Sequence, residues 1–136
     1  NSLSHNNFSL EIQNEQNEIY LTINKNKFLQ VLHNLLDNTS TYVPNNSRIL
    51  IFVKIENQNC IIHFVDQGPG ISLNYKDKIF ERFYKDREKD KNSHSGLGLS
   101  ISKKIIESFS GKISLIKSIH LGFDGACFEI ELPLKQ

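Results

Sequence analysis

The chain has 136 residues, enough for one domain with a core of its own and too few for two comfortable ones. Apolar residues at 38% and charged residues at 23% suit an ordinary soluble globule, and a net charge of +1 gives no general electrostatic reason to bind nucleic acid or anionic lipid. No run approaches the roughly 18 consecutive apolar residues that span a bilayer, and the Asn- and Ser-rich start lacks the basic and apolar regions of a signal peptide.

Taken in chain order, Phe8 to Gln13 and Glu18 to Ile23 alternate apolar and polar positions on either side of the turn-prone 14–17 segment, which predicts an opening hairpin. From Lys25 to about Tyr42 the period becomes helical. Phe28, Val31, Leu32, Leu35, Leu36 and Thr39 gather on one side at about 100° per residue, and Pro44 lies just beyond the end. Arg48 to Glu56 and Asn59 to Asp66 are rich in Ile, Val and Phe and joined by Asn57 and Gln58, so they read as a second hairpin. A short amphipathic piece, Asn74 to Phe83, is followed by a polar stretch, Tyr84 to Ser95, with the composition of a loop. A helix is expected over Gly98 to Phe109, then strands over Lys112 to Ile119 and Ala126 to Leu132. This order predicts a two-layer α/β sandwich (α+β) in a single domain, with about three helices on one face of a mixed, mostly antiparallel sheet. Cys60 and Cys127 lie in apolar stretches and read as buried, reduced thiols. The absence of methionine reads as a chain that begins inside a longer polypeptide.

Three stretches carry chemistry. On the polar face of the first helix, Gln30, Asn34, Asn38 and Thr41 fall within about 80° of one another. An amide oxygen is a hard ligand without charge, suited to a magnesium-bound triphosphate, although Asn at i and i+4 is also common on a solvated face. Asp66-Gln67-Gly68-Pro69-Gly70-Ile71 closes a strand, where a carboxylate can accept from an exocyclic amine and the glycines let backbone approach a ring. A tight turn capped by its own Asp is the alternative. Ser95-Gly96-Leu97-Gly98-Leu99-Ser100-Ile101 opens a helix whose first amides can hold phosphate oxygens. It is neither a P-loop nor a dinucleotide fingerprint.

With a fourth stretch, Ile79-Phe80-Glu81-Arg82-Phe83-Tyr84-Lys85, the set resembles one family over essentially the whole chain, the sensor histidine kinases. Asn34 to Asn38 followed by Tyr42 is similar to their N box, Asp66-x-Gly68-x-Gly70 to their G1 box, Ile79 to Phe83 to their F box, and Gly96-Leu97-Gly98-Leu99 to their G2 box. Gly125-Ala-Cys-Phe128 with Leu132-Pro133-Leu134 resembles their closing strand. The resemblance implies the Bergerat (GHKL) fold with an ATP lid, ATP and Mg²⁺ as cofactors, and transfer of the γ-phosphoryl group to a histidine. By it Asn38 would bind Mg²⁺ and, with Asn34, form the catalytic pair. Tyr42 would pack beside adenine, Asp66 would accept its amine, and Gly68 and Gly70 would admit the ring, with Ile71 and Phe80 among the binding residues. Arg82 and Lys85 would reach phosphates from the lid, and the amides of Gly96, Leu97, Gly98 and Leu99 would wrap the triphosphate.

The pattern is broken at Thr41, where the family usually has Lys, at His94 in place of the first G2 glycine, at Ser110 in a Gly pair, and at Ala126 in place of a Thr. The gyrase-type ATPases of the same fold usually place a Glu four residues before the magnesium Asn, and here Asn34, which cannot act as a base, stands there. None of the five histidines is followed by the Glu or Asp that follows the family's phosphoacceptor. The acceptor is therefore expected on a dimerising helical hairpin elsewhere in the full protein, with a response regulator as the next partner. The resemblance further implies a homodimeric, inner-membrane-anchored sensor kinase of which this is a cytoplasmic, monomeric piece.

Overall fold

The computed structural model describes residues 8–15, 18–84 and 97–134, apart from the side chain of Tyr42. Asn24 starts the first helix, α1 (Lys25–Tyr42): its side-chain oxygen accepts from the Lys27 N–H at 2.9 Å, one of the amides that a helix start leaves without a partner. At the other end Val43 turns extended and Pro44 removes the next donor. The inward stripe is the expected one, with Val31, Leu35 and Thr39 all but inaccessible.

Five strands form one sheet: β1 (Ser9–Asn14), β2 (Arg48–Glu56), β3 (Asn59–Val65), β4 (Lys112–Ile116) and β5 (Cys127–Pro133), in the order β1-β2-β3-β5-β4. Only β1 and β2 are parallel, so the sheet is mixed and mostly antiparallel. The helical layer consists of α1 and α2 (Gly98–Ser108), with two single 3₁₀ turns, Leu73–Tyr75 and Lys78–Phe80. Alternation along the strands sends Ile49, Ile62, Phe64, Phe128 and Ile130 toward the helices, where they meet Leu35, Ile105 and Ile106 in the main core. The opposite faces of the same strands carry a smaller cluster, Leu50, Val65, Phe123 and Cys127, under the loop between β4 and β5.

The expected opening hairpin does not form. Ser9–Asn14 is a strand, but it pairs parallel with β2, Leu10 opposite Ile49, and the 18–23 segment joins no ladder. That segment is extended, with Ile19, Leu21 and Ile23 packed against the core and Glu18, Tyr20 and Thr22 outside. Its alternation is real but comes from burial of every second side chain, without a hydrogen-bonded neighbour. The amphipathic piece expected over Asn74 to Phe83 resolves into the two 3₁₀ turns, the second of which buries Ile79 and Phe80. The strand expected to Ile119 ends at Ile116. Both cysteines are buried and unpaired.

Candidate functional site

Alternation along β3 puts Val65 on the open face and the next residue, Asp66, on the helix side, at the end of the strand. Its backbone continues the pairing with the last strand, donating to Ala126 O at 3.1 Å and accepting from Gly125 N–H at 3.0 Å. Its side chain is then fixed by two amides: Oδ1 accepts from Gly68 N–H at 2.9 Å and from Ala126 N–H at 3.0 Å. Oδ2 takes no hydrogen bond from a described residue and is not sealed from solvent, so one carboxylate oxygen is anchored by protein amides and the other is not. The residue as a whole is 4% exposed. Burial raises the carboxyl pKa, and the Gly68 and Ala126 amides act against that rise.

The turn that follows is shaped for close approach. Gly70 has φ of +81°, which a side chain strongly disfavours, and packs on the Asp124–Gly125 backbone. A Cβ at Gly125 would lie 1.9 Å from Asp66 Oδ1 and 2.7 Å from Gly68 N, so only hydrogen fits there. Gln67 ties the turn to the rest of the sheet, accepting from Arg48 N–H at 2.7 Å and donating to Gly122 O at 3.1 Å. On the far side of this turn, an open cleft of about 410 Å³ runs between Pro69–Leu73 and Leu115–Ser118; neither helix lines it.

On α1, Asn34 and Asn38 lie one turn apart on the same half-buried face. The Asn34 amide nitrogen donates to Gly98 O and to Ser102 Oγ, both at 3.1 Å, and so reaches the first turn of α2. The Asn38 carboxamide makes no hydrogen bond to another described residue. The Thr41 hydroxyl donates back to Asp37 O at 3.2 Å, a bond within the helix. Helix α2 begins at Gly98 after Leu97, whose apolar side chain cannot cap its first amides. Ser100 Oγ donates to Leu97 O and helps to hold the entry.

The F-box stretch divides in two. Phe80 goes into the core, edge-on to Phe128 with ring centroids 6.3 Å apart, while Arg82 is exposed with its guanidinium 5.2 Å from the Phe83 ring centroid. Ile71 packs against the core from the turn. Lys85, His94, Gly96 and the Tyr42 side chain lie outside the described residues. Among the described residues no group of three His, Cys, Asp or Glu side chains converges to hold a metal ion. Sequence reasoning did not single out Gln67, the Gly125 contact or the Ala126 N–H. The only signal for them was the Gly125-Ala126 pair itself, whose importance is a backbone matter.

Three comparisons bear on this arrangement. The model of the "Histidine kinase-, DNA gyrase B-, and HSP90-like ATPase" family matches residues 23–136. The sensor protein ChvG of Rhizobium meliloti is 39% identical over 109 residues, 76% of this chain and 19% of that protein. The signal transduction histidine-protein kinase BaeS of Escherichia coli is 31% identical over 114 residues, 82% of this chain and 24% of its own length. The chain thus spans about a quarter or less of these curated relatives. Among solved structures, the catalytic domain of histidine kinase ThkA superposes with a TM-score of 0.78 at 26% identity, over 96% of this chain and 82% of that one. ThkA in complex with the response regulator protein TrrA gives 0.74 at 26% identity, over 98% and 36%. The anchored Asp66, the close-packed glycines and the two α1 asparagines therefore lie on a matching fold, and the chain belongs to the histidine kinase-, DNA gyrase B- and HSP90-like ATPase family, as a catalytic ATP-binding domain of the bacterial histidine kinase kind.

Proposed function

We propose that the chain binds Mg²⁺-ATP between α1, the Asp66 turn and the start of α2, and presents the γ-phosphoryl group to a histidine on a dimerising helical hairpin of the full protein. The observation that carries this reading is the divided carboxylate of Asp66. With Oδ1 held by two amides, Oδ2 has a fixed direction and accepts the adenine amine, while Gly68 and Gly70 keep the approach clear and Ile71 and Tyr42 flank the ring. Asn38 fits a metal shared with phosphates, since its carboxamide has no other described partner and its oxygen adds no repelling charge; Mg²⁺, when bound, supplies charge neutralisation on the phosphates. The amides of Leu97, Gly98 and Leu99, with Gly96, receive phosphate oxygens at the positive end of α2. Arg82 and Lys85 add positive charge from the lid side.

Phosphoryl transfer needs mainly positioning and charge neutralisation, which is what this set of residues offers. Asn34 in place of a carboxylate leaves that position without a base to activate water, which favours transfer over hydrolysis. The relatives named as sensor proteins and the neighbour solved with a response regulator support a regulator as the next acceptor. The reading extends to a place for this domain on the cytoplasmic side of an inner-membrane-anchored homodimer; no described helix is long and apolar enough to cross a membrane. Incubation with γ-phosphate-labelled ATP, with and without the separately expressed hairpin of the same protein, tests the assignment. Label should appear on the hairpin histidine only, and should vanish with Asn38→Ala; label on this chain would refute the reading.

A further inference from the structure

The Asn34 amide offers two N–H groups, and α2 takes both: Gly98 O at 3.1 Å and Ser102 Oγ at 3.1 Å. The orientation of the carboxamide is unambiguous, because a carbonyl oxygen only accepts and the Gly98 carbonyl would repel the Asn34 oxygen were the amide turned over. Ser102 is wholly buried and lies in the second turn of α2, out of reach of any nucleotide. Gly98 is seated directly on Asn34: a Cβ there would be 3.7 Å from Asn34 Cβ and Cγ, and 3.9 Å from Oδ1.

We propose that Asn34 is a positioning residue that clamps the phosphate-facing end of α2 to α1, and so sets the spacing between the α2 amides and the Asn38 carboxamide. The inference rests on the nucleotide reading above. Phosphates would meet groups from both helices at once, and a clamp of two donors from one side chain holds the first turn of α2, where helices fray most readily. Both bonds are donated by the amide nitrogen, which a carboxylate lacks. Asp at this position would set a negative oxygen against the Gly98 carbonyl.

Calorimetry on the whole chain with adenosine and with Mg²⁺-AMPPNP, combined with amide hydrogen exchange without nucleotide, separates the possibilities. Asn34→Ala should leave adenosine affinity within about twofold and weaken Mg²⁺-AMPPNP about tenfold, the worth of two net hydrogen bonds. Ser102→Ala, a mild change at a buried site, should weaken Mg²⁺-AMPPNP about threefold, and the double variant should be no weaker than Asn34→Ala alone. The amides of Ile101 to Lys103, the first in α2 to bond back to helix carbonyls, should exchange faster in both single variants. Unchanged AMPPNP affinity and exchange in Ser102→Ala would overturn the clamp, leaving Asn34 a direct contact. Equal loss of adenosine and AMPPNP in Asn34→Ala would also overturn it, in favour of a general structural role. If the parent bound neither ligand, the nucleotide reading would fail, and unchanged exchange would then dispose of the clamp as well.

Discussion

Gly125 lies under Asp66 so closely that a Cβ would sit 1.9 Å from Oδ1. Gly125→Ala should therefore push the carboxylate off both of its amides. Adenosine affinity should fall below detection, with a loss of about 2–3 kcal/mol in stability from the displaced buried hydrogen bonds, read by calorimetry and a thermal melt. The charge at Asp66 has a cost of its own. Because burial raises its pKa, the folded state holds its proton to higher pH than the unfolded chain. The unfolded state then binds fewer protons, so stability falls as pH rises from the ordinary carboxylate range through the raised value, and Asp66 is a net burden at neutral pH. Asp66→Asn, which keeps an oxygen for the two amides, should melt at or above the parent at pH 7 and lose that advantage in acid. The same variant should fail to bind adenine, because an amide nitrogen at the open position donates where the ligand also donates. Stability set against function in this way is common at binding sites.

Among the elements, α2 ends on a strained residue. Ser110 has φ of +62°, in the left-handed region, and donates from its N–H to Glu107 O at 2.9 Å, while Gly111 N–H reaches Ile106 O at 3.0 Å. This is where the family resemblance expected a glycine. Ser110→Gly should raise stability by about 1 kcal/mol, a shift of about 4 °C in the melt, without moving nucleotide affinity. The open face of the sheet holds a second device, built on two of the histidines. His63, buried on β3, meets His120 at 2.7 Å between ring nitrogens and Glu129 of β5 at 2.9 Å, with Phe52 of β2 against both rings. Burial lowers the His120 pKa, with His63 and Lys54 adding to the effect. A histidine harder to protonate when folded takes up its proton mainly on unfolding, so its contribution to stability is lost as pH falls through the ordinary histidine range. Melts between pH 7 and pH 5 should fall less steeply for His120→Gln than for the parent. The helices were legible because a 3.6-residue stripe and Pro44 mark them locally. The parallel partner of β1 was not legible, since Ile19, Leu21 and Ile23 give the same alternation whether paired or merely packed. The histidine pair was hidden because His63 and His120 are 57 residues apart.

At the scale of the whole molecule, two observations fit together. The sheet carries its main core against α1 and α2, and the groups read as nucleotide-binding lie along the end of that layer where β3, α1 and α2 meet. The four boxes were visible in sequence order because each is short and local. How they act was only partly visible, since Asp66 depends on an amide 60 residues away and Asn34 on a helix 64 residues away. Cys127, next to that amide, has its thiol pKa pushed up to about 12 by burial, with Glu129 and Asp66 adding to the effect. It should stay unreactive toward thiol reagents until the domain unfolds. The central claim is that an oriented Asp66 carboxylate makes this a Mg²⁺-ATP site. A calorimetric titration of the parent chain and of Asp66→Asn with Mg²⁺-AMPPNP tests it most directly. One equivalent bound by the parent and none by the variant, with both folded by circular dichroism, is the predicted result; equal binding by the two, or none by the parent, would contradict it.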